Sequence, residues 1–350
     1  MAEKKTAPDT PHRITNKPFK ILSIDGGGIK GLYSASVIAC LEEKSGKRSG
    51  ECFDMICGTS TGGLIALGMA NGKPAKELVD LYLNRGKEIF PTYENQYLRW
   101  IQRNIIHTAS QTFFWGKFKN ERLKNILEET FGNTTLGQLD NLVLIPSFNL
   151  TSGKPRMFKY PHKEGDFYMD KNISIVDTAL ATSAAPTYFP IHSIDDTLFV
   201  DGGVWANNPA MCGLLEALKY FVGEGKEYSH VEMLSIASVS QPSGWPSAVR
   251  KQRSFIGWKS KLIQTSMDGQ AYFTHFFLDT AIKRIDPNSK YVRIKSPDLS
   301  QDQMKILEMD RADMTALTTL KSLGNHDGYT ATNSTEIMHF YNSPRTYKTQ

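Results

Sequence analysis

Apolar positions along this chain fall into short runs that stop at aspartate or glycine, each followed by a longer stretch of helical spacing. Phe19 to Ile24 is one such run, ended by Asp25 and three glycines, and Leu32 to Leu41 resumes with the small and apolar composition of a helix. The unit recurs: Phe53 to Cys57 is apolar up to Gly58, and Leu64 to Met69 continues as a helix. After Pro74, residues Leu78, Leu81, Tyr82 and Ile89 keep helical spacing, and Arg122 to Phe131 repeats it. Leu142 to Leu150, Thr197 to Val200 and Val231 to Ala237 predict further buried strands, and Asn208 to Phe221 a helix. This alternation through residue 240 predicts an α/β fold, a parallel or mixed sheet with helices on both faces. Beyond it the pattern loosens into helices over Ser254 to Leu278 and Arg311 to Leu323, with a strand at Tyr291 to Ile294. Residues 1–17 carry Pro8 and Pro11 without apolar periodicity and are expected to be a flexible N-terminal arm. No repeat or linker divides residues 18–350, so one domain is expected, its part after about residue 240 a helical C-terminal extension.

Composition narrows the class. With 40% hydrophobic, 22% charged and 11% aromatic residues, the 350-residue chain matches globular averages and not those of a disordered, collagen-like or coiled-coil protein. No stretch approaches the roughly 18 to 20 unbroken apolar residues of a membrane span, and the first twenty residues lack the apolar core of a secretory signal. A cytoplasmic location is therefore expected. The net charge of +5 favours anionic lipids or phosphates but is too weak to argue for nucleic acid. Cys40, Cys52, Cys57 and Cys212 form no CxxC pair and read as reduced thiols, so no zinc site, and no other metal or cofactor, is expected.

Three motifs carry candidate chemistry. Asp25-Gly26-Gly27-Gly28-Ile29-Lys30-Gly31 contains GxGxxG between a strand and a helix, the setting of a dinucleotide fingerprint. That reading wants an acidic residue at the end of the second strand, whereas Glu51 precedes the strand and Asp54 lies inside it. The same glycines still offer backbone N–H groups near a helix N-terminus, an arrangement suited to a developing negative charge. Gly58-Thr59-Ser60-Thr61-Gly62-Gly63 is a GxSxG between strand and helix, where a sharp turn with small neighbours pushes the serine hydroxyl outward. It is not a P-loop, for it has no lysine after Gly62 and Gly63. Leu198-Phe199-Val200-Asp201-Gly202-Gly203 ends a strand on a carboxylate left unshielded by two glycines, although Asp-Gly is also a common turn pair. None of the eight histidines sits in a short motif at a strand end, so Asp201 is the better candidate partner for Ser60.

The three motifs, in this order over residues 25 to 203, resemble those of the patatin-like phospholipases: a DGGGxRG-type loop, a GxSxG elbow and a DGG. Lys30 stands where that family usually has arginine, which keeps the charge and loses the planar fork. Thr182-Ser183-Ala184-Ala185-Pro186 resembles the family's small-residue segment ahead of Phe189-Pro190. The resemblance implies a three-layer fold with a mostly parallel central sheet flanked by helices. It implies Ser60 as nucleophile, Asp201 as base, and Gly26, Gly27 and Gly28 as the oxyanion loop, with Asp25, Lys30, Gly31, Gly58, Gly62, Gly202 and Gly203 in support. The reaction it implies is hydrolysis of glycerophospholipid acyl esters through an acyl-enzyme, at a membrane surface. A Ser-His-Asp α/β-hydrolase and a catalytically silent lipid- or nucleotide-binding module remain the competing classes.

The run from Ile21 to Pro91 is further similar to bacterial patatin-like effectors of antiphage defence. That similarity implies activation by a cyclic dinucleotide, with oligomerisation, and action at the inner membrane as a peripheral protein. Tyr93, Tyr97, Arg99, Trp100, Arg103, Trp115 and Lys117 offer flat groups and cations for such a ligand, or equally a lid over a lipid entrance. Trp245, Phe255 and Trp258, interleaved with Arg250, Lys251, Arg253, Lys259 and Lys261, suit a phosphate-bearing interface or a plain solvated face.

Overall fold

A computed structural model describes residues 16–91, 118, 120–163, 168–240, 258 and 260–349. The first fifteen residues, and the aromatic and basic positions from Tyr93 to Lys117, therefore lie outside the described residues. So do Trp245, Arg250, Lys251, Arg253, Phe255 and Lys259.

The centre of the molecule is strand β1 (Pro18–Ile24), whose residues from Phe19 onward are all buried. Such a strand is covered on both faces and reads as a continuous apolar run. It pairs in parallel with β2 (Met55–Gly58) on one side and β7 (His230–Ile236) on the other, and β8 (Lys290–Ile294) extends the sheet in parallel beyond β7. On the opposite flank β3 (Leu142–Asn149) runs parallel to β2, then pairs antiparallel with β4 (Lys154–Lys159) and β6 (Thr197–Asp201), with β5 (His192–Ile194) at the edge. The sheet order is β5-β6-β3-β2-β1-β7-β8, with β4 paired to β3 off this path. A mostly parallel sheet flanked by helices is thus what forms.

Helices α1 (Gly31–Ser45), α2 (Thr61–Ala70) and α3 (Ala75–Ile89) follow the first two strands, and α4 (Glu121–Phe131) precedes β3. Helix α5 (Ile175–Ser183) leads to β5, α6 (Ala210–Tyr220) follows β6, and α7 (Ser260–Ile285) connects β7 to β8. Two more, α8 (Met314–Thr332) and α9 (Thr335–Asn342), end the chain, α8 lying along α1.

The segment after residue 240 is less separate than the sequence suggests. Its strand completes the sheet, and the last turns are buckled onto the core by polar contacts. Lys20 Nζ donates to the carbonyls of Phe340 (3.3 Å) and Ser343 (2.6 Å), and Asp54 Oδ1 accepts the amides of Thr346 and Tyr347, both at 2.7 Å. Buried Lys20 and Asp54 need these partners, because an unpaired buried charge costs several kcal/mol.

Candidate active site

The parallel register Ile24↔Gly58 brings the ends of β1 and β2 side by side, so the glycine loop and the GxSxG turn leave the sheet at the same edge. That edge, beyond the carboxyl ends of parallel strands, is where open α/β sheets gather their sites. On the far side, the antiparallel pairing Ser147↔Asp201 places the end of β6 against β3, itself a neighbour of β2. Three motifs distant in sequence thereby meet.

Ser60 caps α2 with φ 53° and ψ −124°, a left-handed conformation that a non-glycine residue holds only under outside constraint. The constraint comes from its neighbours. A Cβ on Gly58 would stand 2.1 Å from the Gly62 carbonyl oxygen, and one on Gly62 would stand 2.4 Å from that of Ile24. Only glycine at both positions lets the turn close against β1. The Ser60 amide donates to Thr182 Oγ1 at 3.0 Å, and the Thr182 hydroxyl donates to the Pro146 carbonyl at 2.5 Å. The small-residue segment at the end of α5 is thus a brace beneath the serine, a role its sequence did not disclose.

Asp201 is 3% exposed and Ser60 7%. The Asp201 amide donates to the Ala184 carbonyl (3.0 Å), and its carboxylate Oδ1 accepts the Gly203 amide (2.7 Å). Burial lifts the Asp201 pKa to about 6, against hydrogen bonds from the Ser60 hydroxyl and the Gly203 amide that pull it down. The pair is therefore a serine hydroxyl in contact with a dry, unusually basic carboxylate.

The glycine loop requires one correction. The Gly26 amide donates to the Asn207 carbonyl at 3.0 Å, so it has no N–H left for a substrate. The Gly27 and Gly28 amides have no hydrogen-bond partner among the described residues, which leaves two donors and not three. Gly28 has φ +60°, and a Cβ there would collide with the Met309 carbonyl at 2.3 Å. That carbonyl also accepts the Ile29 amide at 2.9 Å, so the chain near residue 309 clamps the loop from outside. Asp25 is held by Arg293 of β8, Nη1 to Oδ1 at 3.2 Å and Nη2 to Oδ2 at 2.5 Å. Neither Arg293 nor Met309 was visible as a site residue in the sequence; a buried Asp25 demanding a cation was the one available hint.

Gly28, Ser60, Leu64, Ile89, Phe90, Leu123 and Phe189 line a narrow apolar slot that opens on the serine. Histidines lie elsewhere among the described residues: His192 on Asp177, His162 on Glu216, and His230 and His339 around Glu232. His275 packs against the Tyr291 ring. No described group of three or more His, Cys, Asp or Glu side chains could hold a metal ion.

Comparison with known proteins agrees with the geometry. Residues 22–212 match the family described as Patatin-like phospholipase. The chain is 35% identical over 313 residues to a cGAMP-activated phospholipase of Pseudomonas aeruginosa, spanning 88% of this chain and 87% of that one. It is 34% identical to a protein of the same name from Vibrio cholerae (87% and 89%) and 32% identical to one from Escherichia coli (88% of each). With the family's three motifs gathered at one sheet edge and similarity running along nearly the whole length, this chain belongs to the patatin-like phospholipase family.

Proposed function

We propose that the protein hydrolyses acyl esters of glycerophospholipids by way of an acyl-enzyme on Ser60, as a membrane-degrading defence effector switched on by a cyclic dinucleotide. The observation that carries the chemistry is the Ser60 hydroxyl hydrogen-bonded to the buried Asp201 carboxylate, whose pKa lies near 6. Ser60 Oγ attacks the ester carbonyl carbon while its proton passes to Asp201. The oxyanion of the tetrahedral intermediate takes the Gly27 and Gly28 amides, with the positive end of α2 behind the serine. Collapse expels the lysolipid alcohol, which leaves with the proton from Asp201. A water then gives its proton to Asp201 and its oxygen to the acyl carbon, the Ser60 oxygen takes the proton back, and the fatty acid departs. The apolar slot at Ser60 suits the acyl chain.

Among the described residues no helix is long and apolar enough to cross a membrane, which fits action at the surface of the bilayer. Exposed Leu262 and Phe273 on α7 provide apolar side chains for that contact. The names of the bacterial relatives support the activator, and we extend it to this chain together with self-assembly on activation and a cytoplasmic location at the inner membrane. The test is fatty-acid release from phosphatidylglycerol–phosphatidylethanolamine vesicles with and without cGAMP. Wild-type protein should turn over only with the nucleotide and Ser60→Ala not at all. Full activity of Asp201→Asn, or loss of turnover in a folded histidine variant, would overturn the dyad.

A further inference from the structure

A second cavity, of about 840 Å³, lies beside the glycine loop, walled by Gly26, Gly27 and Lys30, the end of β7, β8, and one face of α7. Neither Ser60 nor Asp201 lines it. Its size falls within the range of small-molecule sites, roughly 300 to 1,000 Å³. Met309 lines both this cavity and the apolar slot, so the two share a wall.

The cavity wall holds a buried cation with no direct anion contact among the described residues, its nearest counter-charge in the wall being the Asp268 carboxylate. Lys30 is 2% exposed, yet among the described residues its ammonium makes no hydrogen bond or ion pair. Asp268, Glu308 and Asp310 act on it only through space, and burial pushes its pKa down to about 8. An isolated buried charge costs several kcal/mol and persists where something else repays it. Besides Asp268 Oδ2 and His275 Nδ1, two polar atoms in the cavity wall are buried without partners, Asn207 Oδ1 and Ser238 Oγ. Both abut the loop: an added Cβ on Gly26 would meet the first at 2.6 Å, and one on Gly27 the second at 2.0 Å. Lys295 brings further positive charge, Arg293 being already paired with Asp25, while Tyr272 (73% exposed) and Phe276 present aromatic faces at the rim.

We propose that this cavity is the regulatory site and that it takes a cyclic dinucleotide, with a phosphate on Lys30 and a base against Tyr272 or Phe276. Aromatic faces stack any base, and charge-assisted bonds hold phosphate. The Asp268 and Asp279 carboxylates in the wall suit the N–H edges of a purine, which choline and glycerol headgroups do not offer. Lys30 closes the turn Gly28–Lys30, so a phosphate bound there acts directly on the segment carrying the Gly27 and Gly28 amides. This inference rests on the reading that a cyclic dinucleotide activates the protein.

Binding of cGAMP to the full chain, measured by calorimetry and thermal shift, tests it apart from turnover. Lys30→Met keeps the unbranched apolar stem and removes the charge. It should leave the melting temperature of the free protein unchanged or higher while weakening cGAMP at least tenfold. The double variant Tyr272→Ala, Phe276→Ala changes rim positions and should also weaken cGAMP at least tenfold. If wild type binds cGAMP and both variants bind it equally well, the activator sits elsewhere: the cavity assignment falls and activation stands. If wild type neither binds nor responds to cGAMP or other cyclic dinucleotides, the activation reading falls and takes the site with it. A Lys30-dependent shift produced by glycerophosphocholine or glycerophosphoglycerol, and not by cGAMP, would make the cavity a headgroup pocket and overturn the proposal.

Discussion

Arg293 on the edge strand β8 forks onto Asp25 at the end of β1, across 268 residues of sequence, and both side chains are buried. The last third of the chain thus holds the first motif in place. Arg293 Nη1 also donates to Ser235 Oγ at 2.6 Å, which fixes the guanidinium from the β7 side.

Removing one partner of such a pair strands the other charge, at a cost of about 3 to 5 kcal/mol. Arg293→Ala and Asp25→Ala should each lower stability by that amount in denaturant titrations. The double variant Asp25→Ala, Arg293→Ala should lose less than the two single changes added together. Simple additivity would mean the fork does not anchor the loop.

The strained serine makes a separate prediction. Residues held in such backbone regions carry roughly 1 to 3 kcal/mol of strain. Ser60→Gly should therefore be inactive and melt a few degrees above wild type, whereas Ser60→Ala, which keeps the Cβ, should be inactive with little gain. Equal melting temperatures for the two variants would show that the turn stores no strain.

Thr182 links the Ser60 amide to the Pro146 carbonyl. Thr182→Val preserves shape and leaves both groups unsatisfied, each costing about 1 to 3 kcal/mol. The expected result is a loss of about 2 to 6 kcal/mol in stability and at least a tenfold fall in kcat, while Thr182→Ser retains most of both. A Val variant with wild-type turnover would remove Thr182 from the support of the serine.

The glycine loop and the elbow were legible because each motif sits where an apolar run stops, and the strand and helix that flank it are strongly patterned. Apart from the Ser60–Asp201 pair, what escaped was what depends on the pairing of distant segments. The amide of Gly26 looked as available as its neighbours until the Asn207 carbonyl was brought against it. Helix α5 is buried on nearly every side, so it shows no polar stripe, and β4 (Lys154–Lys159) begins with exposed polar residues that read as loop. The expected Lys30 was found, but its isolation as a buried charge depends on the packing of α7 and the residues near 309, which carry no motif.

Asp201 gives the pH dependence. Its pKa is about 6 in the fold against 3.8 for the unperturbed group, so the native state binds this proton more tightly than the unfolded chain. Its contribution to stability is present below about pH 3.8 and is lost as pH rises through about 6. The penalty above pH 6 amounts to about 3 kcal/mol, from roughly 1.4 kcal/mol per pKa unit. Asp201→Asn has no charge to bury and still offers an oxygen to the Gly203 amide, so above pH 6 it should be inactive and at least as stable as wild type. Activity runs the other way, because the base must be unprotonated. In wild type, kcat/KM should fall about tenfold per unit below pH 6, with an apparent pKa near 6 for the free enzyme. A profile flat from pH 7 to pH 4.5 would mean that Asp201 does not take the proton of Ser60. An inflection near 7 lost in a histidine variant would transfer that role to the histidine.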